Sequence, residues 1–250
     1  MIVSTDSTEA EFNETVLSAG DRSADVEHRS VEIEELRSNL RRMERGFRVE
    51  ARQKDVVSTG VSALDDILPG QGIPRGTLSE WIAAEPGSGA ASLAMRVAGQ
   101  AQADGPLIVV DRNRHFYAPA VAAAGVLLSD TIFVRPESRT DELWAIEQSL
   151  RCPGVGAVLC QVSFLKTVDF RRLQLAAESG TAIGLLIRSA DAQKQSGWAD
   201  VRLLVSSHSA PQDQFCRRLE VRCVYAKGVY ADRTVELELC DETGELRRAF

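Results

Sequence analysis

The sequence predicts an α/β fold in which a mostly parallel central sheet is flanked by helices, with antiparallel C-terminal strands and an N-terminal amphipathic helix. Three observations point there. From Val56 onward, short apolar runs alternate with segments of helical periodicity, the pattern of a parallel sheet covered on both faces. From Trp198 the alternation becomes apolar against polar with period two, as in antiparallel strands with one wet face. The length of 250 residues and the 44% apolar content suffice for one large core.

Residues 1–30 carry Asp6, Glu9, Glu11, Glu14, Asp21, Asp25 and Glu27 against Arg22 and Arg29, and read as a disordered acidic leader. Within 31–48 the apolar residues Ile33, Leu36, Leu40, Met43 and Phe47 fall three and four apart, which predicts an amphipathic helix outside the main domain. Its apolar stripe is a candidate docking surface for a partner or for a second copy of the chain. Residues 49–55 read as a linker, and 56–250 as one domain.

Within that domain strands are expected near 77–82, 106–111, 131–134, 155–161 and 181–187. Helices are expected near 62–68, 91–103, 116–124, 140–151 and 168–179, with Ser62 and Asp65 as a capping box at the first. The stretches WADVRLLVSS, CRRLEVRCVYAKG and RTVELELCD supply the final strands.

A net charge of −7 argues against indiscriminate nucleic-acid binding, which needs a basic surface. The five cysteines form no C-x-x-C pair, and no histidine stands at a ligand-like interval from them, so reduced structural thiols are expected and no metal. No apolar run is long enough to span a membrane, and the acidic N-terminus lacks the features of a signal peptide. A cytoplasmic, nucleoid-associated protein is expected.

The stretch AEPGSGAAS, from Ala84 to Ser92, lies between a strand-like and a helix-like segment, the setting of a phosphate-binding loop. STGVSALDDILPGQGIPRGTLSEW before it, PLIVVDRNRHFYAPAVAAAGV after it, and ADVRLLV and RRLEVRCVYAKG near the end resemble the RecA recombinase superfamily. ELWAIEQSLRCPGVGAVL, FRRLQLAAESGTAIGLLIR, WADVRL and the leading LRSNLRRME are similar to the ImuA family of RecA-like accessory proteins from bacterial translesion-synthesis cassettes. The resemblance covers nearly everything after Val56 and implies a RecA-like core.

Aligned on Gly89, the loop remnant comprises Ala84, Gly87, Ser88, Gly89, Ala90 and Ala91. Ala84 replaces the first glycine, Ala90 the lysine, and Ala91 the serine or threonine. The lost groups would bond phosphates and ligate Mg²⁺, each bond worth about 1.5–3 kcal/mol, so their absence costs about 4–6 kcal/mol of binding. Ser92 sits one residue too far round the helix to replace them. The N–H groups of Gly87 to Ala90 retain the makings of an anion nest.

The resemblance also places Asn113 where a RecA-type ATPase carries its catalytic glutamate, and Gln161 at the Walker-B acid. Neither amide can serve as base or metal ligand in the same way, so no enzyme activity and no cofactor are expected, ATP included. His28, His115 and His208 stand in unrelated segments, and Pro86 breaks any G-x-S-x-G elbow. Asp65, Asp66, Asp111 and Asp169 suit caps and strand ends better than paired acids.

The segments in the positions of a recombinase's DNA loops, VSFLKTVDFRRL and IRSADAQKQSGWADVRL, are too short to wrap DNA. Arg171, Arg172, Arg188, Lys194, Arg217, Arg218, Arg222 and Lys227 remain as a basic set; solvated charge or weak DNA contact are the two readings, with Arg188, Lys194, Arg217, Arg218, Arg222 and Lys227 the candidates for contact. Trp198, before what reads as an edge strand, is either a packing anchor or a base-stacking platform.

The resemblance implies a non-catalytic adaptor in damage-induced (SOS) mutagenesis. Its partners would be a Y-family-like polymerase homologue, an error-prone replicative-type polymerase and RecA itself. Alternatives are an ATPase or recombinase, a modulator of RecA filaments, and a damage-induced cell-division inhibitor.

Overall fold

A computed structural model describes residues 56–195, 197–209, 216–228, 232–240 and 244–249. The acidic leader, the amphipathic helix with Ile33, Leu36, Leu40, Met43 and Phe47, and the linker lie outside the described residues. Strands β1 (Val56–Val57) and β2 (Ile73–Pro74) form a short antiparallel pair. Between them sits helix α1 (Ser62–Asp65), followed by a 3-10 turn over Pro69–Gln71.

The remaining strands are β3 (Leu78–Ala83), β4 (Leu107–Val110), β5 (Thr131–Val134), β6 (Ala157–Gln161), β7 (Ile183–Arg188), β8 (Val201–Ser209), β9 (Cys216–Ala226), β10 (Arg233–Cys240) and β11 (Leu246–Arg248). They make one sheet in the order β11-β10-β9-β8-β3-β7-β6-β4-β5. Pairing is parallel from β8 through β5 and antiparallel from β8 to β11. The helices are α2 (Ala90–Ala101), α3 (Ala118–Ala123), α4 (Arg139–Arg151) and α5 (Thr167–Ser179).

The apolar runs of β4, β6 and β7 follow from burial on both faces, since a parallel strand sandwiched by helices has no wet side. On one face Leu93, Ala94, Val97 and Ala98 of α2 pack with Trp81, Val109, Leu159 and Leu185. On the other, Ile146 and Leu150 of α4 and Phe170 and Leu173 of α5 pack with Leu78, Val110, Val158 and Leu186. The first core continues under the antiparallel strands through Val205, Leu219, Val221 and Leu237.

Three expectations change. The first helix ends at Asp65, because the chain turns into the Pro69–Gln71 segment. Its capping box does not form. Val61 is the N-cap with no side-chain bond, and Asp65 instead accepts hydrogen bonds from Ser58 Oγ (2.6 Å) and Thr59 N (2.8 Å). Finally, β8 is interior rather than an edge, lying between β3 and β9, because β9 to β11 extend the sheet beyond it.

Candidate functional site

The C-terminal ends of β3, β4, β6 and β7 lie side by side, which is where open α/β sheets place their ligands. The Ala84–Gly89 segment leaves β3 there. Gly87 and Gly89 take positive φ (82° and 88°), so the chain can turn from strand to helix N-cap without a Cβ in the way. A Cβ at Gly89 would come within 2.8 Å of the Leu219 side chain.

Neighbouring strands engage the Glu85 carboxylate, Ala84 N and Gly87 O of this turn. Glu85 accepts from Ser207 N (2.7 Å) and Ser207 Oγ (3.3 Å), and Ala84 N donates to Val205 O (2.9 Å). From β9, Arg217 Nη1 donates to Gly87 O (2.7 Å). Ser88 Oγ is buried without a hydrogen-bond partner among the described residues. Ala90 is only 2% exposed and belongs to the apolar core, and Ala91 packs against that core. Ser92 lines a cavity of about 150 Å³ with Arg96, Ala120, Arg217 and Leu239.

Asn113 and Gln161 do meet. Both line a cleft of about 70 Å³ with Arg112, His115, Arg139 and Glu142. Ligand pockets usually start near 300 Å³, so this one is far smaller than a nucleotide. Its one carboxylate is fully engaged: the buried Glu142 accepts from Arg112 Nε (3.2 Å) and Arg139 Nη1 (2.5 Å). Asp111 holds the adjoining turn through His115 N (2.7 Å) and Phe116 N (3.1 Å), the strand-end role expected of it. The described residues contain no cluster of histidine, cysteine and carboxylates suited to a metal.

The basic set is not one patch. Arg188, expected among the DNA-facing cations, has a side chain 0% exposed and bonds Glu80 Oε1 and, at 2.6 Å, Gln195 Oε1. Arg202 holds the other Glu80 oxygen and donates to Ala192 O (2.6 Å). Burial pushes the Arg188 guanidinium below its ordinary value while the Glu80 carboxylate opposes the shift. This buried triad ties β3, β7 and β8 to the 189–195 turn.

The other cations scatter. Arg217 shares its face of β9 with Leu219, whereas Arg218 and Arg222 occupy the opposite face. Between those two, Glu220 stands level with Glu236, which dilutes the positive charge. Lys227 pairs with Asp200 at 3.4 Å, and Lys194 is exposed on the turn over Ala190–Lys194. Trp198 is partly exposed and carries the Arg171 guanidinium 5.0 Å from its ring centroid.

Glu80 and Arg202 were invisible to sequence reasoning as a pair, although the Glu closing GTLSE in a buried strand was the available signal. Segments 162–166 and 189–200, which follow β6 and β7, are short. Among the described residues no helix is long and apolar enough to cross a membrane.

Comparison with known proteins places this geometry. The chain is 30% identical over 138 residues to Protein ImuA of Caulobacter vibrioides, a match covering 53% of the chain and 57% of that relative. It is 29% identical over 134 residues to Protein RecA of Rhodopirellula baltica, covering 50% of the chain and 36% of the relative. Protein RecA of Chlorobium chlorochromatii is 33% identical over 104 residues, 41% of the chain and 29% of the relative. The chain thus spans little more than half of the ImuA relative and about a third of the RecA relatives. No protein-family model matches it.

Proposed function

The chain is an ImuA-like member of the RecA superfamily, and from that premise we propose that it is a RecA-like accessory protein of the DNA-damage response that acts as a non-catalytic adaptor in translesion synthesis. The observation that carries this reading is the burial of Ala90 in the apolar core, at the position where a phosphate-binding lysine would stand. A phosphate loop works by aiming a cation, a hydroxyl and free N–H groups at one point. Here the cation and hydroxyl positions are alanines, and Arg217 is bonded to a loop carbonyl.

Asn113 and Gln161 support the same conclusion. They meet in a cleft too small for a nucleotide, where Glu142 is already neutralised by two arginines. Hydrolysis requires a base and a metal ligand together, and two amides supply neither. A RecA-like domain with short loops in place of long DNA-gripping ones retains a large folded surface for protein partners. A Y-family-like polymerase homologue, an error-prone replicative-type polymerase and RecA are the partners this reading assigns.

The test is co-purification of the chain with the polymerase homologue in nucleotide-free buffer. Retention without ATP, unchanged when ATP and Mg²⁺ are added, is the expected result. Failure to co-purify under both conditions would sink the adaptor reading.

A further inference from the structure

Helices α4 and α5 lie side by side in a register that two contacts fix. Arg139 Nη2 bonds Phe164 O, and Arg172 Nη2 bonds Glu147 Oε2, each pair separated by 25 residues. The two helices lead into β6 and β7, which are parallel neighbours in the sheet, and both pack on the same face, so they run in the same direction. The offset sets Trp144 level with Val168 and Asp169, and Arg151 level with Leu175 and Ala176. The inner stripes carry the core residues Ile146, Leu150, Leu173 and Ala177.

The outer stripes are unusual for a solvated surface. Trp144 is 61% exposed, Phe164 56%, Val168 70% and Leu175 44%. Val168 and Leu175 stand seven residues apart, on one side of α5. Single exposed apolar residues are ordinary, but three large ones on two adjacent helices, with Phe164 in the segment just before α5, mark an interaction surface. Arg151, Lys166 and Arg172 are interleaved with them, and Arg151 and Arg172 both anchor on the buried Glu147. Arg151, Lys166 and Arg172 stand against Glu147 and Asp169, so this face keeps a small positive excess in a chain of net charge −7.

We propose that the outer face of α4 and α5 docks an acidic amphipathic α-helix presented by a protein partner. The groove between two parallel helices accepts a third helix by ridge-into-groove packing, and Trp144, Val168 and Leu175 are its apolar contacts. Arg151, Arg172 and Lys166 meet the carboxylates that flank the partner's apolar stripe. Single-stranded nucleic acid fits less well. Val168 and Leu175 offer branched aliphatic groups rather than stacking planes, and Glu147 already neutralises part of the arginine charge.

The experiment uses the full chain, a fluorescently labelled synthetic helix with a leucine stripe flanked by glutamates, a scrambled peptide of the same composition, and labelled oligothymidine. Anisotropy titrations should show saturable binding of the amphipathic peptide and at least about tenfold weaker binding of the scrambled one. Trp144→Ala and Leu175→Glu should each weaken the peptide about tenfold or more, with urea unfolding curves unchanged because both positions are exposed. Equal binding of the two peptides, no saturation, or insensitivity to both variants would overturn the proposal. Tighter binding of oligothymidine than of the peptide, lost in the same variants, would reassign the face to nucleic acid. None of these outcomes depends on translesion partners, so the adaptor reading stands or falls separately.

Discussion

Glu80 is the centre of the buried ion cluster that joins β3, β7 and β8. Its carboxylate sits 1% exposed between Arg188 and Arg202, and removing it would leave two guanidinium groups without their counter-charge. Breaking a buried ion pair from one side typically costs about 3–5 kcal/mol, so Glu80→Ala should lower the urea-derived unfolding free energy by that order. The triad escaped sequence reasoning because its partners lie 108 and 122 positions from Glu80 along the chain. Sequence shows a charge but not its burial, which is why Arg188 read as a DNA contact. The assignment of Ala90 and Ala91 to the lysine and hydroxyl positions of a phosphate loop, by contrast, rests on local sequence alone.

Cys160 gives a pH-dependent consequence at the same scale. Burial, with Glu142 adding to it and Arg139 and Arg188 opposing, pushes its thiol from 9.0 to about 12. The folded state then holds a proton that the unfolded chain releases above pH 9. The associated stability is fully present below pH 9 and falls as pH rises toward 12, by about 1.4 kcal/mol per pH unit for one group. Urea titrations across that window should show the decline, and a Cys160→Ala variant should show a shallower one.

Helices and strands of the parallel half were legible because each signal is local. Apolar runs of four to six residues gave β4, β5 and β7, and 3.6-residue periodicity gave α2, α4 and α5 within a few residues of their ends. Two-residue strands β1 and β2 carry too few side chains to show a period. The expected box at Ser62 and Asp65 failed because the Asp65 carboxylate is drawn to Ser58 and Thr59. A side-chain cap does form at α4, where Ser138 Oγ accepts from Asp141 N at 3.1 Å and donates to Asp141 Oδ2 at 2.7 Å. Ser138→Ala should cost about 1 kcal/mol in urea unfolding. At the turn into α2, Gly89→Ala combines positive φ with a clash against Leu219, and a loss of about 1–3 kcal/mol is expected.

Across the whole molecule, the sheet separates two environments. One core runs uninterrupted from α2 to β11, while the other is confined to α4, α5 and the strands beneath them. The alternate residues of β8 to β10 therefore face outward as mixed charge, which explains why the basic set could not gather into one patch. Exposed faces were the least legible part, because exposure depends on which face a neighbouring element covers. Thiol accessibility checks this arrangement. Cys152 is exposed while Cys160 is fully buried, so a thiol reagent should label Cys152 in the native protein and Cys160 after unfolding.

On the proposed reading, the Ala84–Gly89 turn keeps the place of a phosphate loop without its phosphate-binding groups. Calorimetric titration of the purified chain with ATP in Mg²⁺ tests it most directly. Loss of about 4–6 kcal/mol of phosphate and metal contacts predicts no saturable heat at micromolar ATP, with or without Mg²⁺. Magnesium-dependent binding with a micromolar Kd would contradict it.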